Sequence, residues 1–99
     1  IMTAAETEDC LLDYEGVVAR GSMLGSAGMI VMDDSTDMVY QIWRLARFYA
    51  HESCAQCTQC REGTSWTARV LERIVAGQGK PSDLDLLLDL ADNFAHFVR

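Results

Sequence analysis

The 99-residue chain is 49% hydrophobic and 23% charged, which fits a folded domain and excludes a wholly disordered one. Fifteen Asp and Glu against eight Lys and Arg give a net charge of −7, a balance that nucleic-acid phosphates and anionic membrane surfaces repel. No apolar run approaches the roughly eighteen residues of a spanning helix, and no basic-then-apolar leader stands at the front.

The chain opens at Ile1 and ends on Phe97-Val98-Arg99 without a stop pattern, and reads as a piece of a longer protein. Residues 1–9 are polar and acidic and are expected to be extended or frayed. A short amphipathic helix is predicted from Asp13 through Val17, Val18 and Ala19, with Gly21 ending it. The glycines at 21, 25 and 28 precede a four-residue apolar run, Met29 to Met32, which reads as a buried strand. A dinucleotide fingerprint needs G-x-G-x-x-G after a strand and before a helix, so these glycines read as a turn instead. Asp33-Asp34-Ser35 marks a further turn and a helix start.

Three longer helices are predicted next. The first runs from about Thr36 to about Ala50, with Met38, Ile42, Leu45 and Tyr49 along one stripe. The second starts near Cys60, carries Trp66, Val70, Leu71 and Ile74, and stops at Gly77 and Gly79. The third opens at Pro81-Ser82-Asp83, where Ser82 is the expected cap. Leu84, Leu87, Leu88, Ala91, Phe94 and Val98 form its apolar face. Short loops between amphipathic helices imply a bundle. The five methionines and both tryptophans are expected in the core or an interface.

The chemistry lies in the link between the first two long helices. Cys54, Cys57 and Cys60 form a Cys-x-x-Cys-x-x-Cys run, while Cys10 stands apart. Three thiols this close staple no elements together, so a disulfide framework is a poor reading. Such a run lets one loop present three thiolates to an iron–sulfur cluster, with a fourth ligand from elsewhere. Zinc takes thiolates too, usually with a second distant pair, and a redox-active Cys-x-x-Cys would leave the third cysteine idle. Anionic ligation suits the start of a helix, where Cys60 and Arg61 stand. Arg44, Arg47 and His51 collect near the end of the preceding helix, either as complements to its dipole or as cations for the cluster. His96 is a remote candidate for a nitrogen ligand; a histidine beside Phe94 and Phe97 more often packs.

Taken together, Phe48-Tyr49-Ala50-His51-Glu52-Ser53-Cys54, the triplet, and Cys60-Arg61-Glu62-Gly63 resemble the signature of the NADH-oxidising flavoprotein subunit of respiratory complex I. The diaphorase subunit of NAD-reducing hydrogenases and the beta subunit of NAD-dependent formate dehydrogenases share it. Leu12-Asp13-Tyr14-Glu15, Gly21 to Ser26 and Ile30 to Asp33 resemble the end of that family's ubiquitin-like domain. The resemblance implies a mainly α chain: the short helix and strand that end a ubiquitin-like, β-grasp domain (1–34), then a helical iron–sulfur-binding bundle (35–99).

It further implies a 4Fe–4S cluster with Cys54, Cys57 and Cys60 as three of four ligands, fed by an FMN that takes hydride from NADH. The FMN and NADH sites would lie in the parent protein, and this piece alone would not be an enzyme. Its partners would be the rest of the flavoprotein, a thioredoxin-like 2Fe–2S protein and further redox subunits, on the cytoplasmic or matrix side. Two positions depart from the family pattern, Ala55 in place of Gly and Gln59 in place of Pro. The family's fourth cysteine follows the third helix, where this chain reads Ala95-His96-Phe97-Val98-Arg99, so either that ligand lies beyond Arg99 or this copy has diverged or been truncated. The competing reading is a non-redox interaction or structural-zinc domain of the same descent.

Overall fold

The computed structural model describes residues 1–97. The chain divides into two compact units, Ile1–Asp33 and a second beginning at Asp34.

The first unit holds two short helices, α1 (Ala4–Thr7) and α2 (Tyr14–Ala19). The opening residues are therefore not uniformly extended. Thr3 and Glu6 form a reciprocal capping box, with the Thr3 N–H donating to Glu6 Oε2 at 2.6 Å. A one-turn helix is too short to show periodicity, and this Thr-x-x-Glu spacing was its only signal. α2 matches the predicted helix. Asp13 caps it, accepting the Gly16 N–H at 2.6 Å, and Gly21 follows in the left-handed conformation at φ 76°.

The predicted strand at Met29–Met32 does not form among the described residues. Its side chains are exposed, Val31 at 88%, rather than buried. An apolar run supplies only one side of a ladder, and a strand also needs a neighbour to take its hydrogen bonds. Met23 and Met29 are likewise exposed and lie outside any core. Val17 is the buried apolar residue of this unit.

The second unit is three helices: α3 (Met38–Glu52), α4 (Thr58–Val75) and α5 (Pro81–Phe97). Asp37, rather than a residue of the preceding turn, caps α3. Its carboxylate accepts the N–H groups of Val39 at 3.0 Å and Tyr40 at 3.2 Å. α4 ends as predicted at Gly77, φ 79°, in a Schellman arrangement: Gly77 N–H donates to Ile74 O and Gln78 N–H to Arg73 O. Ser82 is not the cap of α5, because the helix already begins at Pro81, a residue suited to a first turn. Asp83 instead reaches back to accept the Lys80 N–H at 2.9 Å.

α4 is the central helix. It packs on α3 and on α5, whereas α3 and α5 do not pack on each other among the described residues. The core follows from this order. Gly63, Ala68, Val70 and Leu71 of α4 are buried, Leu90 of α5 joins them, and α3 buries no residue fully. The predicted stripe of α3 stays partly open, with Ile42 41% and Leu45 45% exposed. Trp66 is exposed, so it is not a core residue, and Trp43 is half-buried beside Tyr40. Val98, the last residue of the predicted α5 face, lies outside the described residues.

One ion pair locks the α4–α5 corner. Arg73 donates to Asp83 through Nε at 3.1 Å and also through Nη2, and Asp83 is only 3% exposed. Those bonds and the Lys80 N–H hold the Asp83 carboxyl below its ordinary pKa, and the same contact raises that of Arg73. No helix among the described residues is long and apolar enough to cross a membrane.

Candidate metal centre

The three clustered cysteines occupy the α3–α4 link and the first turn of α4. α3 ends at Glu52, Ser53 turns the backbone to extended geometry, and Cys54 opens the link. Cys57 is the N-cap of α4, so the helix begins slightly earlier than predicted. Its side chain makes no capping hydrogen bond, so the thiol is uncommitted where the helix presents free N–H groups. Cys60 sits three residues further on, one turn into the helix.

All four cysteines are free thiols. Cys54 and Cys57 are exposed, and Cys60 is half-buried. Among the described residues, no group of three or more His, Cys, Asp or Glu side chains is arranged to hold a single metal ion. The thiols are thus neighbours along one short loop without being gathered about one point.

Arg61 ties that loop to α4. Its backbone N–H donates to Cys57 O at 2.9 Å, and its guanidinium Nη1 donates to Ala55 O at 3.0 Å. Nη2 reaches Thr58 Oγ1 at 3.4 Å, and Nε pairs with Glu62 Oε1 at 3.3 Å. Ala55 has φ 58°, the left-handed region that favours glycine, and its N–H donates to Ser53 Oγ at 3.2 Å.

Cys54 and Cys60 also line an apolar groove of about 570 Å³. Ile42, Leu45 and Tyr49 contribute from α3, Leu71 from α4 and Phe94 from α5. Its walls are the partly exposed α3 stripe and the facing residues of α4, with Phe94 of α5 closing one side. This apolar wall beside two thiols is invisible to cysteine spacing; the open stripe of α3 was its only trace in the sequence.

The remaining candidates fall elsewhere. Arg47 lies over the Trp43 ring, 5.1 Å from its centroid, and so serves a cation–π contact on α3. His51 is exposed in the last turn of α3, where its charge would complement the dipole. His96 is exposed on α5. Cys10 belongs to the first unit, where its thiol donates to Leu11 O at 3.4 Å.

Comparison with known proteins places this loop in a family. Residues 40–97 match the family model described as the NADH-ubiquinone oxidoreductase-F iron-sulfur binding region. The first of the NADH-quinone oxidoreductase F subunits of Rhizobium meliloti is 52% identical over 86 residues, covering 87% of this chain and 20% of that protein. The corresponding F protein of Rickettsia bellii is 54% identical over 85 residues, 86% of this chain and 20% of its own length. That of Streptomyces coelicolor is 52% identical over 92 residues, 93% of this chain and again 20% of its own. The chain spans about a fifth of the length of these relatives. With the match running from α3 through the cysteine loop to the end of α5, the chain belongs to the family of the NADH-ubiquinone oxidoreductase-F iron-sulfur binding region.

Proposed function

We propose that this chain is the electron-transfer end of an NADH dehydrogenase-type flavoprotein, with Cys54, Cys57 and Cys60 as three thiolate ligands of a 4Fe–4S cluster. The observation that carries the reading is the family match over a loop that holds three free thiols at the start of a helix. When bound, the cluster supplies a one-electron carrier for electrons that FMN, held elsewhere in the parent protein, has taken from NADH.

The residues present fit such a group. Cys54, Cys57 and Cys60 are free thiols on one short loop and would supply thiolates to its irons. Cys57 and Cys60 present their sulfurs where the α4 dipole and unpaired N–H groups favour negative charge. Leu45, Tyr49, Leu71 and Phe94 wall the adjoining open groove with apolar side chains. Cys54, Cys57 and Cys60 account for three of the four ligands such a cluster takes.

In this reading the partners are the rest of the flavoprotein, a thioredoxin-like 2Fe–2S protein and further redox subunits. The location is the cytoplasmic or matrix face, peripheral to a membrane complex.

Anaerobic reconstitution with iron, sulfide and an added thiol tests the reading. The expected product is brown, with broad absorption that dithionite bleaches. A colourless product that retains stoichiometric zinc instead would replace this reading with the structural-zinc one.

A further inference from the structure

The cysteine loop is held at its middle by a side chain that is not a ligand. Arg61 reaches the segment before the helix through its side chain, Nη1 donating to Ala55 O at 3.0 Å, while its N–H to Cys57 O is the first rung of α4 itself. The remaining donors are also placed, Nη2 on Thr58 Oγ1 and Nε on Glu62. The Ala55 peptide needs such a hold. Its φ of 58° is unfavourable for a residue with a Cβ, and it lies between two thiols in a stretch with no helical ladder.

From this geometry we infer that Arg61 is the positioning residue of the loop: its guanidinium fork fixes the Ala55 carbonyl and so sets where Cys54 and Cys57 present their sulfurs relative to Cys60. The inference rests on the metal-binding reading above and names the residue that prepares that site. The fork, rather than the charge, performs this role. Glu62 stands 3.3 Å from Nε, both side chains are about half exposed, and a carboxylate so close offsets the field of the guanidinium. Lysine would keep the charge but supplies a compact point donor that cannot span three acceptors.

The test uses the 99-residue chain and three variants, Arg61→Gln, Arg61→Lys and Glu62→Gln, with far-ultraviolet circular dichroism to verify that the helices remain. Two quantities are measured. The first is the ¹⁵N order parameter of Ala55, Gln56 and Cys57 in the metal-free chain. The second is Co²⁺ affinity in the presence of an added thiol, followed by thiolate-to-cobalt charge-transfer absorption.

Arg61→Gln lowers the loop order parameters from the rigid range of about 0.85 toward the flexible range under about 0.6. It also weakens Co²⁺ binding by about tenfold or more, the usual loss when a group orienting metal ligands is removed. Arg61→Lys behaves like the Gln variant, and Glu62→Gln like the parent. Unchanged order parameters in Arg61→Gln, or full recovery in Arg61→Lys, would overturn the positioning role. If the parent takes up no cluster in the anaerobic reconstitution above, the metal-binding reading fails, while the order parameters still decide what Arg61 does to the loop.

Discussion

The Phe94 ring occupies the space where a Cβ on Gly63 would stand, with Phe94 Cζ 2.8 Å from that point. Gly63 lies one turn after Cys60, so α5 makes this close approach beside the thiol-bearing end of α4. The same ring lines the apolar groove with Cys54 and Cys60.

Gly63→Ala sets two effects against each other. Alanine adds about 1 kcal/mol of helix propensity, while overpacking a fitted contact costs about 1–3 kcal/mol. The expected result is a net destabilisation of about 1 kcal/mol in urea unfolding, relieved when Phe94→Leu is added. A single variant more stable than the parent would mean that the ring moves aside without cost.

Ala55→Gly is expected to stabilise. A side-chain-bearing residue in the left-handed region costs about 1–2 kcal/mol, and the added freedom of glycine in the unfolded chain returns about 0.4–1 kcal/mol of that. The net gain is then roughly 0.5–1 kcal/mol. Ala50→Gly, inside α3, should lose about 1 kcal/mol. Opposite signs for these two changes in urea midpoints establish that backbone conformation at Ala55 is the cause. Equal signs exclude it.

Acid should loosen the α4–α5 corner through Asp83. Hydrogen bonds from Arg73 and then from the Lys80 N–H depress its folded-state pKa below the ordinary 3.8. A depressed carboxyl contributes stability that is fully present above the unfolded value and is lost as pH falls through the folded one. The Asp83 contribution should therefore be constant from neutral pH down to about 5 and fall away below it as Asp83 protonates. Asp83→Asn should be less stable at neutral pH and lose most of that acid dependence. An unchanged acid limb in the variant would assign it to other carboxylates.

Single changes of Cys54, Cys57 or Cys60 to Ser should each strip or destabilise a cluster reconstituted in a version of the chain extended past Arg99, whereas Cys10→Ser leaves iron content unchanged. The triplet sits on one loop of the second unit, and Cys10 belongs to the first. Iron loss in the Cys10 variant with the triplet variants unaffected would reverse the assignment.

Much of the helical unit was legible in the residues themselves. Periodic apolar positions, the Pro81 start and the Gly77 stop are local signals, and local backbone chemistry obeys them. The thiol triplet was equally plain, since a ligand run is a matter of spacing along one loop. Decisions that need a neighbour were not. Met29 to Met32 has the composition of a buried strand but no ladder partner among the described residues, and it lies exposed. The α3 stripe is as apolar as a core face, yet Ile42 and Leu45 stay partly exposed and form one wall of a groove against α4. Arg61 and Ala55 are six residues apart, and their bond exists only because the loop turns back onto the first turn of α4. Local spacing is enough to place the three long helices and to put the three thiols on one loop. Tertiary structure decided what each apolar face meets and which side chain holds the loop, because both depend on atoms distant along the chain or on a backbone turn that no spacing rule encodes.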